Sequence, residues 1–162
     1  MAKKGKRKAA PGDVATNRQA SFKYTLTDRW ECGMVLQGSE VKSMRAGNVQ
    51  LKDAYAAVDG GEVFLHNMHV APYPAASREN HEPERVRKLL LNGREIERIL
   101  GKTNEKGLTL VPTRVYFSGR NAKVEIALAR GKRSYDKRQA LAEKQSKREM
   151  QRALSRRSSG KD

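Results

Sequence analysis

The sequence predicts a mainly β domain: a small closed antiparallel OB-like barrel with short helices, followed by a basic C-terminal tail. Two observations predict the barrel. About six segments have the composition of strands, and turn-forming residues join neighbouring segments into hairpins. Because an open sheet exposes unpaired edges, local antiparallel pairs of this kind favour closure into a barrel. A third observation, the positive charge at both chain ends, separates the tail from the domain.

The excess positive charge lies at the two ends of the chain. The 162 residues include 34 Lys and Arg against 18 Asp and Glu, a formal net charge of +16. Residues 1–20, 21–129 and 130–162 carry net charges of +5, +3 and +8. This distribution favours a polyanionic partner: nucleic acid first, then an anionic membrane surface or an acidic protein. We assign the chain to three parts, a flexible basic arm at 1–16, the barrel at 17–130 and the tail at 131–162.

The first predicted elements lie between residues 22 and 47. Large and polar residues alternate in FKYTL (22–26) and WECGMVL (30–36), and each segment predicts a strand. GSEVKSMRAG (38–47) predicts a short helix, with Ser39 as its N-cap and Gly47 just beyond its end.

The segment AYAAVDGGEVFLHNMHV (54–70) predicts a hairpin. Two strand-like runs are separated by DGGE (59–62), and its glycines supply the positive φ angles of a tight turn. Residues 71–84 are rich in proline and polar residues, and they predict a surface loop.

A second short helix is predicted for NGREIERILG (92–101). Asn92 and Glu95 have the spacing of a capping box, and Gly101 is expected to end the helix. One face carries the apolar side chains of Ile96, Ile99 and Leu100.

Two more strands and the tail complete the chain. LTLVPTRVYF (108–117) and AKVEIALA (122–129) predict a second hairpin, in which Pro112 marks an edge or a bulge. The tail is rich in helix formers but sparse in apolar residues, so we expect it to be disordered when free. Helix formation would await a partner that neutralises its charge, and Asp136 with Gln139 has the spacing of a helix N-terminal box.

No motif in the sequence predicts catalysis, a metal or a cofactor, so we expect a protein that is not an enzyme. The single cysteine excludes an intramolecular disulfide and suits a reducing cytoplasm. His66 and His69 point to opposite faces of a predicted strand, so ordinary barrel histidines are favoured over a metal site that includes His81. GKT (101–103) ends a helix instead of beginning one, which excludes a phosphate-binding loop. No apolar window approaches a membrane span, and we expect an unexported protein.

Five blocks in one order give the chain a resemblance to a known family. These are NRQA (17–20), WECGMVLQGSEVKSMRAGNVQLKDAYA (30–56), RKLLLNGREI (87–96), GLTLVPTRVYF (107–117) and ALARGKRSYDKR (127–138). Together they resemble small protein B, the tmRNA-binding or SsrA-binding protein family of bacterial ribosome rescue.

The resemblance implies an RNA-binding adaptor of trans-translation. The barrel would bind the tRNA-like domain of tmRNA, and the tail would become helical in the vacant mRNA channel, near the decoding region of the small ribosomal subunit. Elongation factor Tu would deliver the complex. No DNA and no membrane partner is implied. The alternatives are a generic OB-like protein that binds ribosomes or single-stranded RNA, and a nuclease or other hydrolase acting on RNA.

The family's functional motifs fall on two groups of residues in this sequence. We call the first the RNA set, for contacts with tmRNA: Asn17, Arg18, Glu31, Lys42, Ser43, Arg45, Leu90 and Asn92. The second is the tail set, for the ribosome: Gly131, Lys132, Arg133, Tyr135, Asp136, Lys137 and Arg138.

Two members of the RNA set, Glu31 and Asn92, carry open alternatives, and two positions depart from the family pattern. Asn92 caps its helix, contacts RNA, or serves both purposes. Glu31, in a segment ECG expected to form a turn, either contacts RNA directly or pairs with Lys42 or Arg45 and positions them. Gln19 and Cys32 replace a usual basic residue and a usual alanine, which puts RNA contact at Gln19 in doubt.

Overall fold

The structure is a computed structural model that describes residues 12–76, 78–105 and 107–159. Nine strands and four helices follow one another within these ranges. In chain order they are β1 Asp13–Thr16, α1 Ala20–Lys23, β2 Tyr24–Met34, α2 Gly38–Arg45, β3 Val49–Gln50, β4 Tyr55–Asp59, β5 Glu62–His66, β6 His69–Val70, β7 Arg87–Leu90, α3 Gly93–Thr103, β8 Leu108–Ser118, β9 Asn121–Gly131 and α4 Ser134–Ser159.

Six of the strands pair in a circuit. The order is β8, β4, β5, β7, β2 and β9, and β9 pairs again with β8; every pairing is antiparallel. β1 pairs with residues 114–116 of β8, on the edge where β4 pairs at Leu110, and β3 with β6 forms a separate two-stranded sheet. The predicted mainly β architecture with short helices is confirmed.

The two strands predicted between residues 22 and 36 are wrong in detail. Phe22 and Lys23 belong to the one-turn helix α1, which buries Ala20 against Val111 and Ala129. From Tyr24 the chain forms one long strand, β2, whose register with β9 shifts between Leu26 and Arg29. Such a bulge lets a single strand bend around a curved sheet without ending.

Both predicted hairpins are present. Gly60 and Gly61 have φ angles of 57° and 76°, and they connect β4 to β5 in a two-residue turn. β8 and β9 pair along their whole length, and the register shifts between Pro112 and Arg114, which confirms the bulge reading of the proline. The predicted loop at 71–84 contains no helix or strand in its described residues.

The helix limits differ from those predicted. Gln37, not Ser39, caps α2, because Gln37 and Glu40 form a reciprocal capping box. Asn92 and Glu95 cap α3 as predicted, but the helix continues past Gly101 to Thr103. Its last turn is held by the hydroxyl of Thr103, which donates to the carbonyl of residue 99 at 2.8 Å.

The apolar face predicted for α3 is only partly correct. Ile99 is fully buried, and Ile96 packs against the core. Leu100 is 45% exposed, because it follows Ile99 by one position and therefore points about 100° away around the helix.

The last four residues of the predicted N-terminal arm, 13–16, belong to the sheet. Residues 13–16 form β1 against β8, and the buried carboxylate of Asp13 pairs with Arg114 at 3.3 Å. The prediction for residues 1–11 falls outside the described residues.

The tail forms a helix of 26 residues, α4, that begins two residues before Asp136. The N–H of Lys137 donates to the carbonyl of Arg133 at 3.1 Å, so the helix starts at Ser134 and Asp136 lies within its first turn. The N-cap role predicted for Asp136 is therefore wrong, although a carboxylate in the first turn still stabilises the helix dipole. None of the helices in the described ranges is long and apolar enough to cross a membrane.

A buried ion pair joins α2 to β7. Glu40 and Arg87 are fully buried, and Nε and Nη2 of Arg87 lie 2.8 and 2.7 Å from the same carboxylate oxygen. Arg85 pairs with the other oxygen at 2.7 Å, where it is joined by the N–H of Gln37 at 2.8 Å. Arg87 also donates to the carbonyls of Met68, Pro83 and Arg85, so its remaining N–H groups are satisfied.

We expect Arg87→Met to reduce the free energy of unfolding by about 3–5 kcal/mol, because it leaves Glu40 buried without its main counter-charge. Urea unfolding followed by circular dichroism measures this. The double variant Glu40→Gln, Arg87→Met removes both charges and should be more stable than Arg87→Met alone. A loss below about 1 kcal/mol in the single variant would contradict the assignment.

The pair also predicts a pH dependence of stability. Burial alone would raise the pKa of Glu40, but the hydrogen bonds from Arg85 and Gln37 and the charge of Arg87 hold it below the ordinary value of 4.5. A lowered folded-state pKa contributes stability that is full above pH 4.5 and is lost as the pH falls through the folded value. Urea unfolding between pH 3 and 7 should show a steeper acid loss in the wild type than in Glu40→Gln.

Candidate nucleic-acid interface

Most residues of the RNA set lie at one end of the sheet circuit and the tail set at the other. β2 connects the two ends: Tyr24 pairs with Gly131 at its start, and Gly33 pairs with Leu90 and Lys123 near its end. The eleven residues of β2 extend over roughly 35 Å. The members of the RNA set near the second end come from β2, α2, β7 and the start of α3.

Glu31 lies on β2 and not in the predicted turn. Its side chain is 58% exposed; Oε2 accepts a hydrogen bond from the hydroxyl of Tyr116, and Oε1 lies 3.8 Å from Nζ of Lys123. The alternative that Glu31 pairs with Lys42 or Arg45 is wrong, because its partners are Tyr116 of β8 and Lys123 of β9.

Glu31 faces a second carboxylate directly across the sheet, Glu125 of β9. Like charges in this position repel each other, so each carboxylate requires compensation. Glu125 forms ion pairs with Arg29 at 2.8 Å and Arg114 at 3.3 Å, and it accepts a hydrogen bond from the hydroxyl of Thr113 at 2.8 Å. Although burial alone would raise the pKa of Glu125, these partners hold it below its usual value.

The two basic residues of α2 in the RNA set lie over aromatic rings. The guanidinium of Arg45 is 4.6 Å from the ring centre of Phe117, and Nζ of Lys42 is 5.6 Å from that of Tyr73. Cation–π contacts of this kind fix the direction of long flexible side chains and leave their N–H groups available for phosphate oxygens.

Ser43, between them, is fully buried, and its hydroxyl donates to the carbonyl of Ala71 at 2.5 Å. This contact ties α2 to the loop that follows β6. In this arrangement Ser43 supports the loop and offers no surface to a ligand.

Leu90 borders a groove at the end of β2. Leu90 is 51% exposed, and its Cβ would lie 3.3 Å from any Cβ placed on Gly33, so glycine allows the close approach of the two strands. The groove has a volume of about 390 Å³; its floor is apolar and its rim is basic, and it is lined by Gly33, Met34, Leu36, Val41, Leu90, Arg120, Asn121, Ala122 and Lys123. An apolar floor beside basic side chains suits an unstacked nucleobase with its phosphate.

Asn92 and Asn17 have structural roles in the described contacts. Asn92 caps α3, whose first turn follows Leu90 closely along the chain. The side-chain amide of Asn17 donates to the carbonyls of Pro112 at 3.0 Å and Leu51 at 3.4 Å, which fixes the chain between β1 and α1. Arg18 is exposed just before α1, near the start of β2, whereas Glu31 lies in the second half of that strand.

The first residues of the tail set are attached to the barrel. Gly131 ends β9, and Lys132 binds α1 twice, through its N–H to the carbonyl of Lys23 at 3.0 Å and through Nζ to that of Ser21 at 2.9 Å. Beyond them Arg133, Asp136 and Arg138 are exposed and Lys137 is half-buried, while the side chain of Tyr135 lies outside the described part. All side chains from 141 to 156 are exposed, so this part of α4 docks no face on the barrel.

Two of the three histidines, His66 and His81, make ordinary structural contacts. His66 stacks on Tyr55 with ring centres 4.9 Å apart. His81 is buried; its Nε2 lies 2.9 Å from the carbonyl of Val70 and its Nδ1 2.9 Å from the hydroxyl of Ser39. Since a carbonyl only accepts, Nε2 carries the proton and Nδ1 accepts from Ser39.

The sequence did not single out Lys123, Arg120 or Tyr116 as site residues. Lys123 and Arg120 reach the site only because β9 pairs with β2 and because the β8–β9 turn lies at the same end of the sheet. Cross-strand register carries this information, and no local motif encodes it. A local signal for Lys123 is the alternation of AKVEIALA, which places Lys123 and Glu125 on one face of the strand.

The chain is similar to known proteins over most of its length. The family model "SmpB protein" matches residues 14–156. The SsrA-binding protein of Salinispora arenicola (strain CNS-205) is 56% identical over 149 residues, which cover 92% of this chain and 94% of that protein. The SsrA-binding protein of Carboxydothermus hydrogenoformans (strain ATCC BAA-161 / DSM 6008 / Z-2901) is 50% identical over 141 residues, covering 87% and 95%.

A solved structure is also similar. It was reported under "tmRNA-SmpB: a journey to the center of the bacterial ribosome", and it superposes with a TM-score of 0.65 at 45% identity. The match covers 78% of this chain and 93% of that one.

We expect substitutions of Arg45 and Ser43, two residues of α2, to have different effects on RNA binding. Arg45→Gln should weaken binding to a structured RNA and reduce the slope of log affinity against log salt by about 0.7–0.9, as one phosphate contact is lost. Ser43→Ala should leave that slope unchanged and reduce the free energy of unfolding by about 1 kcal/mol. Titrations at several salt concentrations, with urea unfolding alongside, measure both. An altered slope in Ser43→Ala would contradict its assignment as a buried support.

Proposed function

The chain belongs to the SmpB family, and from this membership we propose that it is a tmRNA-binding adaptor of trans-translation. In this role the barrel binds the tRNA-like domain of tmRNA and brings it to ribosomes stalled on broken message. The tail enters the vacant mRNA channel near the decoding centre. The complex then allows the nascent peptide to be tagged and the ribosome to be released.

The extent of the family match is the observation that carries this proposal. The matching region, residues 14–156, includes β1, all strands of the sheet circuit and most of α4. A shared OB-like barrel alone would support only nucleic-acid binding, because this architecture serves many partners. Collinear similarity through the barrel and the basic helix supports the two-part function of an adaptor.

In this proposal the RNA set divides into binding residues and supporting residues. Glu31, Lys42, Arg45 and Leu90 present exposed groups at one end of the barrel, and we assign tmRNA contact to them with Arg18 at the side of β1. A carboxylate, two cations and an apolar surface together suit a folded RNA loop with unstacked bases better than a regular duplex. We assign support of this surface to the others, Asn17, Ser43 and Asn92, whose described hydrogen bonds are internal.

The tail set acts as a directed basic helix in this proposal. Lys132 fixes the start of the tail on α1, and the exposed face of α4 presents lysine and arginine to ribosomal RNA. Because α4 lacks a docked apolar face over residues 141–156, its free helix should be marginal in water, and rRNA phosphates would stabilise it on the ribosome. The barrel, 17–130, and the tail, 131–162, therefore have separate roles.

The proposed partners are tmRNA, the small-subunit decoding region and, through the tmRNA complex, elongation factor Tu. Such a protein works in the bacterial cytoplasm and needs no catalytic group or cofactor of its own. The alternative, a generic OB-like protein that binds ribosomes or single-stranded RNA, would use the same basic surfaces but would not discriminate tmRNA from tRNA.

We expect the single variant Glu31→Ala and the double tail variant Lys137→Ala, Arg138→Ala to fail at different steps of trans-translation. Glu31→Ala should weaken binding to tmRNA about tenfold, because it removes a hydrogen-bond acceptor for the RNA. The tail variant should bind tmRNA almost normally at moderate salt, but support little peptide tagging in a reconstituted translation system stalled on message without a stop codon.

Competition between tmRNA and bulk tRNA tests the proposal against its alternative. At a salt concentration that suppresses the charge of the arms, the wild type should keep its preference for tmRNA. Equal binding of the two RNAs would overturn the proposed function in favour of the generic binder. An equal loss of tmRNA affinity in the barrel and tail variants would overturn the division of roles.

A further inference from the structure

We infer that Tyr116 is a positioning residue for Glu31: its hydroxyl holds the carboxylate in the orientation that meets RNA. The inference rests on the proposed contact between Glu31 and tmRNA, and it assigns a role to a β8 residue outside the RNA set. The hydroxyl of Tyr116 donates to Oε2 of Glu31 across two strand pairings, from β8 over β9 to β2.

Glu31 requires such a partner because its own surroundings hold it weakly. It faces Glu125 directly, and that carboxylate takes the nearby cations Arg29 and Arg114. The cation left to Glu31, Lys123, lies 3.8 Å away on an exposed surface, where ion pairs contribute little. Without the hydroxyl, the repulsion from Glu125 would turn the flexible glutamate toward solvent.

Tyr116 is itself held in place by its neighbours. The guanidinium of Arg114 lies 4.5 Å from the centre of the Tyr116 ring. Arg114 is fixed in turn by Asp13 and Glu125, each at 3.3 Å, so the row is anchored in β1 and β9. Burial and the hydrogen bond to Glu31 raise the pKa of Tyr116 to about 12, and the phenol therefore stays a donor at neutral pH.

The arrangement also indicates which RNA groups Glu31 meets. A carboxylate accepts about four hydrogen bonds, and the hydroxyl of Tyr116 takes one of them on Oε2, whereas Nζ of Lys123, 3.8 Å from Oε1, is too far away for a hydrogen bond. A carboxylate has no hydrogen to donate to a phosphate oxygen, so the remaining positions suit N–H groups of a base edge or a ribose 2′-hydroxyl. Such a contact releases no counterions, and its loss should not change the salt dependence of binding.

The test uses the full chain and the tRNA-like fragment of tmRNA made by transcription. Tyr116→Phe keeps the ring under Arg114 and removes only the hydroxyl; we expect about tenfold weaker binding with an unchanged salt slope. The matched control is Tyr55→Phe, which removes a hydroxyl from an exposed tyrosine on β4 and should bind as the wild type does. Urea unfolding of each variant shows whether the fold is retained.

A double-mutant cycle separates positioning from a general structural effect. In a Glu31→Ala background, Tyr116→Phe should cause no further loss of affinity, because the group it orients is absent. An equal loss in both backgrounds overturns the inference, as does wild-type affinity in Tyr116→Phe. If instead wild-type protein binds the fragment no better than tRNA, the proposed function fails, so the two failures give different results.

Discussion

The buried pair of Glu40 and Arg87 is the interaction on which the rest of the structure depends. It fixes the short helix α2 on the strand β7. Arg87 also donates hydrogen bonds to the carbonyl of Met68, before the loop 71–84, and to that of Pro83, near the end of this loop. A charge pair without solvent is costly to form and more costly to break. Moving α2 along β7 would leave a buried charge unpaired, so we expect the pair to hold the helix in its place.

The candidate site follows from that placement. α2 presents Lys42 and Arg45 beside the end of β2 only because Glu40, on the same helix, is anchored below them. The opposite side of the site is built differently, from a row of alternating charges across β8, β9 and β2. There two carboxylates face each other, and the cations are shared unequally between them. Rigid sheet and anchored helix together orient polar groups that would be mobile on loops.

Sequence reasoning succeeded where a signal is local. The glycines at 60 and 61 impose a turn by their backbone freedom, and Asn92 with Glu95 caps a helix through groups three residues apart. It failed where two local signals compete. By residue type Ser39 is a better cap than Gln37, but its hydroxyl is taken by the buried His81 from a distant loop. Likewise the helix of the tail starts at Ser134, as soon as β9 ends, and not at the acid that looked like its cap.

The sequence by itself determined the two hairpins, the basic ends and, through collinear motifs, the family, because each depends on residues close together in the chain. Tertiary structure alone decided which exposed groups share a surface. Ser43 belongs to the same motif as Lys42 and Arg45 yet is buried, whereas Lys123 and Tyr116, which lie outside the RNA set, reach Glu31. The physical reason is strand register: pairing brings residues 85 positions apart to within hydrogen-bond distance, and it depends on the packing of the whole sheet.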